Sequence, residues 1–331
     1  MESVVGNLSS VSIIIHYLNA VERLQVSLPF VLKALEAYPP GGEILVIGNG
    51  SPDAVQSDGQ VAFPNVRWLN LPDHESFGAT LRAGAKRASH DVVILLEDDV
   101  QPDEGFISPL VKRLDDPRVF CVQSAVCDQH RKVDPFCLGR FAFRFGSLQR
   151  LRTPDLGRDG WFALCVTGGA VAFSRSRGEA LGLWAPGSIA WGALDVGLRA
   201  WRQGFEAWLE PRSIVLRSDL PAGGVKTPSK DGKAIRQAYK LMTEWSHFPV
   251  PALLLFGFPR LLGRLISRLL IGDFGYFQAI KYAFSHIDQI VRRRREMSTL
   301  ASFSAVLMQI RKENEGHTEL ERKRPGGCCN V

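Results

Sequence analysis

The sequence has few cysteines, and they do not form a recognisable binding or disulfide pattern. Its 331 residues include 6 Cys, which are scattered without a CxxC spacing apart from the adjacent Cys328 and Cys329. Reduced thiols in a cytosolic compartment are the simplest interpretation. The first ten residues are polar and the first apolar run is short, so we predict no signal peptide.

Several other features are missing. Gly 31 and Pro 19 are near average, which excludes a collagen-like or Pro-rich chain, and 45% hydrophobic residues exclude global disorder. There is no GxGxxG segment and no Walker lysine, so neither a Rossmann dinucleotide site nor a P-loop is predicted. No motif of a DNA- or RNA-binding domain is present, and we expect no nucleic-acid partner.

Positive charge is concentrated in the last third of the chain. Residues 1–224 carry 22 Lys and Arg against 25 Asp and Glu, whereas residues 225–331 carry 18 against 9. A basic segment of this kind suggests an anionic partner surface. Since nucleic acid is not supported, the sequence favours a lipid surface.

Strand-like and helix-like segments alternate over the first hundred residues. Short β-branched runs at 11–16, 43–47, 66–69 and 92–96 are separated by helical patterns at 21–37 and 78–88. Such alternation with short connections predicts a doubly wound α/β sheet, whose ligands bind beyond the carboxyl ends of the strands. The loops at 17–19, 48–53 and 97–103 are therefore the candidate site.

Three adjacent acids, Glu97, Asp98 and Asp99, end the fourth strand. Their mutual repulsion costs folding energy, which a divalent cation would relieve. Mg²⁺ and Mn²⁺ favour carboxylate and phosphate oxygens together, and alternate residues of an extended segment point to one side. We therefore predict that Glu97 and Asp99 hold Mg²⁺ or Mn²⁺, the alternative being a solvated acidic turn.

The chain then shows a family resemblance. The stretches VSIIIHYLN, EILVIGNGSPD, ESFGATLRAGAKRASHDVVILLEDDVQPD and LRAWRQGFEAWLEPRSIVL, with Gly168 and Gly169 opening a further strand, resemble in order and spacing a family 2 glycosyltransferase of GT-A fold, similar to bacterial rhamnosyltransferase-like enzymes. The resemblance implies a Rossmann-like nucleotide-diphospho-sugar transferase domain. It also implies inverting transfer of a hexosyl or deoxyhexosyl group from a nucleotide-sugar to a glycan or lipid-linked acceptor.

Matched by position, the resemblance assigns several binding residues. Glu97 and Asp99 fall on the acidic metal motif. Asn49, Ser51, Asp53 and Asp98 are assigned to the nucleotide-sugar. From side-chain chemistry we add Trp191, whose aromatic face can stack on a sugar ring, and Arg217, whose guanidinium can bind the diphosphate.

The sequence also departs from the family pattern. Gly48 stands where an Asp usually contacts the base, and Arg217 stands where a late His is usual. One alignment puts Gly192 and Ala193 at the usual Glu–Asp pair and Asp195 at a further acid. A shifted alignment makes Asp195 the catalytic base, which is our choice. These departures leave two interpretations: an active transferase that depends less on metal, or a catalytically altered homologue acting as a binding or scaffold subunit.

The segment after residue 247 is apolar but carries Arg260, Arg264 and Arg268 on one helix face. A spanning helix would bury all three, at about 2.5–3.5 kcal/mol each near the bilayer centre. An in-plane helix keeps them among the headgroups. We expect a GT-A domain over 8–225, basic amphipathic membrane-associating helices over 235–300 and a polar tail over 301–331. The protein would then be cytoplasmic and peripherally attached to the inner face of the plasma membrane, serving polysaccharide biosynthesis at the cell envelope. The alternative is a packed helix pair with a solvated basic face.

Overall fold

The computed structural model describes most of the chain. The described residues are 8–17, 21–49, 59–71, 77–135, 137–144, 147–152, 160–165, 168–182, 193–217 and 230–323. All statements below concern these residues.

A nine-stranded mixed sheet forms the centre of the described chain. Its order is β3-β2-β1-β4-β10-β6-β11-β5, with β9 added beside β11, and β7 and β8 form a separate hairpin. The strands are β1 Val11–Tyr17, β2 Gly42–Asn49, β3 Arg67–Leu71, β4 Val92–Glu97, β5 Val100–Pro102, β6 Val119–Cys127, β7 Phe141–Arg144, β8 Ser147–Arg150, β9 Trp161–Ala163, β10 Ala170–Ser174 and β11 Glu206–Arg217.

The first half of the sheet is parallel, as the strand–helix alternation predicts. β1 lies between β2 and β4 and is almost wholly buried, which explains its continuous run of apolar residues. Helices connect the strands, and the first of them joins β1 to its parallel neighbour β2. These helices are α1 Val21–Glu36, α2 Phe77–Arg87, α3 Ile107–Leu114, α4 Arg175–Ala180 and α5 Ala193–Arg202.

The strand register brings the carboxyl ends of β1 to β4 to one edge. His16 is paired with Glu97, Tyr17 with Gly48, and Gly48 with Asn70. The edge therefore carries the chain segments that the sequence singles out as candidate binding loops.

Strand β10 pairs antiparallel with β4 on the side opposite β1 and continues the sheet. Gly168 and Gly169 precede β10 with φ of +124° and +81°, values that disfavour any side chain. The Glu97 N–H donates to the Gly169 carbonyl at 2.9 Å, so the tight glycine turn fixes the end of β4.

The C-terminal third is helical, with α6 Lys230–His247, α7 Val250–Ala252, a π-helical turn Leu253–Gly257, α8 Phe258–Leu270, α9 Gly275–Ser285, α10 Ile287–Ser298 and α11 Phe303–Lys323. α6 packs mainly on α9 and α10. The structure differs from the expected polar tail, because Phe303, Val306 and Ile310 of α11 join the main hydrophobic core. Asn314 also exchanges hydrogen bonds with the backbone of Phe162 at 2.9 and 3.0 Å. Apolar residues spaced along a charged helix supply this contact.

Among the described residues, one helical stretch passes a length and composition test for crossing a membrane. It runs over Val250–Leu270, has a mean hydropathy of 1.4, and none of its tested window is buried inside the protein.

Candidate active site

The acidic run lies where the sequence predicts, at the end of the central strand β4. Glu97 closes the strand, and Asp98 and Asp99 form the turn into β5. The N–H of Gly169 donates to Glu97 Oε2 at 2.9 Å. A Cβ on Gly168 would lie 2.6 Å from Glu97 Oε1, so any other residue here would require this carboxylate to shift.

Arg217, the last residue of β11, bridges the two carboxylates that we assigned to a metal. Its Nη2 lies 3.1 Å from Glu97 Oε2 and its Nε lies 3.8 Å from Asp99 Oδ2. The antiparallel pairing of β11 with β5, with Arg217 opposite Val100, delivers the guanidinium to this point. The structure thus brings Arg217 next to Glu97 and Asp99, although Arg217 lies 120 residues after Glu97 in the sequence.

The donor set can be tested against a divalent cation. Asp99 Oδ1 is buried and has no hydrogen-bond partner among the described residues. In that part of the chain no group of three or more His, Cys, Asp or Glu side chains could hold a metal ion. Two carboxylates suit a cation whose other ligands are substrate phosphates, so Glu97 and Asp99 fit a metal shared with a diphosphate.

Burial raises the pKa of Glu97, and the neighbouring Asp99 and Asp98 raise it further against the effect of Gly169 and Arg217. Burial likewise raises the pKa of Asp98, although Arg23 opposes this. A divalent cation at this edge would favour the charged forms of Glu97 and Asp98.

Asp98, which we assigned to the nucleotide-sugar, has a protein partner. Its Oδ1 lies 2.9 Å from Nη1 of Arg23 on α1, and both side chains are largely buried. Arg23 is a functional-site residue that the sequence does not reveal, because it lies 75 positions from Asp98 and nothing in the local pattern links the two.

Gly48 occupies the position at which the resemblance implies an aspartate. A Cβ at this position would lie 2.8 Å from the Tyr17 hydroxyl and 3.1 Å from Asn70 Oδ1. Tyr17 is buried in the core, so these two side chains fill the position that the missing carboxylate would take. Asn49 ends β2 beside Gly48, whereas Ser51, Asp53 and Trp191 lie outside the described residues.

Asp195 lies in the first turn of α5 and is completely buried. His247 Nε2 lies 2.8 Å from its Oδ1, and Arg199 Nε and Arg293 Nη1 lie 3.3 and 3.6 Å from its Oδ2. A catalytic base must come within hydrogen-bond reach of the acceptor hydroxyl. The geometry gives Asp195 a structural role instead, and its assignment as the base stays a prediction that these contacts do not support.

Asp195 and His247 have complementary protonation states. Burial opposes the charge on Asp195, but His247, Arg199 and Arg293 together hold its pKa below the usual range. Burial lowers the pKa of His247 despite the nearby carboxylate. A neutral His247 therefore donates its Nε2–H to an ionised Asp195 that two arginines balance.

This arrangement predicts acid sensitivity of the fold. The unfolded chain binds a proton on His247 at pH about 6.5, where the folded protein does not, so stability should fall as pH drops through and below this value. Asp195 adds to the loss below about pH 3.9. His247→Gln should cost about 2 kcal/mol at pH 8 and flatten the slope near pH 6.

The measurement is urea unfolding at several pH values. His130→Gln, at an exposed loop position, serves as the matched control and should leave stability and slope unchanged. Burial also lowers the pKa of His16, so the difference between the His247 variant and the parent is the informative quantity. An unchanged slope in His247→Gln would contradict the assignment.

The sheet order and the acidic edge define an α/β domain of the GT-A class. Residues 12–174, just under half of the chain, match the model of the family described as glycosyl transferase family 2. The more specific similarity to rhamnosyltransferase-like enzymes stays a prediction.

Two curated relatives are polypeptide N-acetylgalactosaminyltransferase 5 proteins. The one from Rattus norvegicus is 29% identical over 177 residues, covering 48% of this chain and 19% of the relative, and the one from Mus musculus is 28% identical over the same shares. The match thus spans about a fifth of those proteins. A solved structure, GalNAc-T7 with UDP, GalNAc and Mn²⁺, has a TM-score of 0.65 and 16% identity, covering 94% of this chain and 58% of that one. This likeness shows the fold.

Proposed function

We propose that the protein is an inverting glycosyltransferase that moves a hexosyl or deoxyhexosyl group from a nucleotide-sugar to a glycan or lipid-linked acceptor. The acceptor oxygen forms a bond to the anomeric carbon while the bond from that carbon to the diphosphate breaks. The nucleoside diphosphate leaves with the bonding electrons, and the hydroxyl proton passes to a base, for which Asp195 is our sequence-based candidate.

One observation carries this proposal: Glu97, Asp99 and Arg217 meet at the carboxyl edge of the family 2 domain. A leaving diphosphate gains negative charge as its bond breaks, and fixed positive charge at that point lowers the barrier. Arg217 is half-exposed and carries its donors in a planar fork that suits phosphate oxygens. The matched relatives are named as sugar transferases, which supports the same reaction class.

Glu97 and Asp99 would hold Mg²⁺ or Mn²⁺ together with the donor. A divalent cation when bound there stabilises charge on the diphosphate oxygens. The two carboxylates orient it, and Arg217 shares the neutralisation of the leaving group. The solved relative with UDP and Mn²⁺ supports a divalent cofactor.

We also propose that the protein works at the cytoplasmic face of a membrane, with the helical stretch 250–270 lying in the plane of the interface. Leu254, Leu255, Phe258 and Ile266 are all about half or more exposed to solvent. Arg260, by contrast, is only a quarter exposed and faces Glu244 of α6. A helix with its cations toward the protein and its apolar face outward fits an in-plane position. An acceptor bound to a lipid, in cell-envelope polysaccharide synthesis, would be within reach of such an enzyme.

A scaffold or binding subunit is the second candidate function. Asp195 pairs with Arg199, four residues later on α5, and the first alignment places Asp195 at the further acid rather than at the base. That alignment leaves Gly192 and Ala193 at the usual acid pair, so no base remains there.

Nucleotide-sugar hydrolysis distinguishes the two functions. The full chain is incubated with a panel of nucleotide-sugars, with and without Mn²⁺, and nucleotide release is followed. Slow release from one donor supports the transferase, whereas saturable binding without release under any condition supports the scaffold.

Removal of Arg217 tests how far Arg217, rather than a divalent cation, neutralises the leaving diphosphate. Arg217→Ala should lower transfer about a hundredfold because a phosphate-facing cation is lost, while the parent in a chelator should keep only a small residual activity. Arg131→Ala, which removes an exposed arginine paired with Asp103, is the control. Full activity in Arg217→Ala, with complete loss in chelator, would discard the role of Arg217.

A further inference from the structure

A basic pocket lies between the C-terminal helices, on elements other than the acidic edge. It has a volume of about 540 Å³ and is lined by Gln237, Lys240, Arg264, Ser267, Arg268 and Tyr276. Except for Tyr276 these side chains are exposed, so the pocket opens to the surface. Three cations and three neutral hydrogen-bonding groups converge on one small volume.

Neighbouring acids neutralise these cations only in part. Lys240 lies 3.9 Å from Glu244, and Arg268 lies 2.7 Å from Asp273. Arg264 has no carboxylate within 4.0 Å among the described residues and instead hydrogen-bonds the Tyr276 hydroxyl. Burial lowers the pKa of Lys240, and the nearby cations Arg260 and Arg264, which crowd this side chain, lower it further against the effect of Glu244. A bound anion would relieve this crowding.

The pocket borders the apolar surface of α8. Arg264 and Arg268 lie on the inner face of the helix, and Leu262, Ile266 and Leu269 lie on the opposite, exposed face. When an in-plane helix buries its apolar face among acyl chains, its polar face lies at the depth of the headgroups. The pocket would then lie where lipid phosphates are found.

We propose that the pocket of Lys240, Arg264, Arg268 and Tyr276 binds a phosphate monoester carried by a membrane lipid. A monoester has a charge of about −1.5 to −2 and three acceptor oxygens, which match the partly neutralised cations and their donors. A diester headgroup presents less charge and fewer free oxygens. The claim that a lipid carries the phosphate depends on the proposed membrane attachment. The claim that the pocket binds phosphate does not, and neither claim depends on glycosyl transfer.

The test compares headgroups at equal surface charge. Phosphatidylcholine vesicles containing phosphatidic acid, or enough phosphatidylglycerol to give the same surface potential, are titrated with full-length protein. The parent should bind the phosphatidic acid vesicles about fivefold more tightly, the equivalent of one additional charge contact. Lys240→Gln/Arg264→Gln should reduce this ratio to about one.

Arg292→Gln/Arg295→Gln is the matched control, because it removes the same charge from exposed positions of α10. It should weaken binding to both vesicle types and keep the ratio. A pocket variant that keeps the ratio, or a control that loses it, would overturn the proposal.

Inorganic phosphate without vesicles separates the two sources. If inorganic phosphate raises the thermal midpoint of the parent but not of the pocket variant, the phosphate site is supported. If the same parent shows no preference for phosphatidic acid vesicles, the site binds phosphate but the lipid is not its source. No vesicle binding at all, with the phosphate effect intact, refutes membrane attachment alone. If phosphate has no effect on the thermal midpoint and the vesicles show no headgroup preference, the proposed phosphate pocket is refuted.

Discussion

Asp99→Asn should lower glycosyl transfer by about a thousandfold and abolish metal-dependent binding of the nucleotide. The amide keeps the size of the side chain but removes its charge. Asp99 Oδ1 is buried without a partner among the described residues, and Oδ2 faces Arg217 at 3.8 Å. The substitution therefore removes half of the carboxylate pair that would hold the cation. Initial rates of nucleotide release and calorimetric titration of the nucleotide with and without Mn²⁺ measure both effects.

The fold should survive this substitution. Removing one of three adjacent acids relieves like-charge repulsion, so the unfolding midpoint should not fall. Asp103→Asn is the matched control: it lies in the same segment but pairs with exposed Arg131, and it should keep near-parental activity. Parental activity in Asp99→Asn would show that the carboxylate pair does not hold a required cation.

The local pattern of the sequence was sufficient to predict the α/β half of the fold. Continuous β-branched runs gave β1, β2 and β4 to within a few residues, because a buried parallel strand is apolar on both faces and stands out from an amphipathic helix. The acidic run could be located for a related reason, since it directly follows one of these strands.

The strand β6 is not among the strand segments predicted from the sequence, and the structure explains why. β6 Val119–Cys127 is buried at every position, yet it contains Gln123 and Ser124. The Gln123 side chain donates to the Cys137 carbonyl, and Ser124 shares a hydrogen bond with Ser213. Polar residues satisfied by distant partners hide the strand pattern.

Ion pairs between residues far apart in the sequence could not be predicted either. His247 reaches Asp195 across 52 residues, and Arg293 comes from a still later helix. Residues 292–295 (RRRR) fall within the segment 235–300, which we expected to form basic membrane-associating helices. In the structure Arg294 donates to the carbonyls of Trp245 and Phe248, so part of that run caps α6 instead. Charge composition alone does not distinguish these uses.

Leu262→Asp/Ile266→Asp should weaken partitioning onto vesicles by about a thousandfold. Both side chains lie on the outward face of α8 and are about half exposed. Burying the exposed part of each is worth about 2 kcal/mol, and the two aspartates would add a desolvation cost at the interface. Co-sedimentation with phosphatidylcholine vesicles over a range of lipid concentrations measures the change.

Met308→Asp is the matched control, because Met308 of α11 is a similarly exposed apolar residue outside the stretch 250–270. It should bind vesicles as the parent does. Salt should have little effect on the parent with neutral vesicles, because phosphatidylcholine carries no net charge that would attract the basic side chains. This apolar mode of attachment requires that the double variant be released at every salt concentration. If it instead binds as tightly as the parent, the exposed face of α8 does not contact lipid, and an interface with another protein surface becomes the explanation for its apolar side chains.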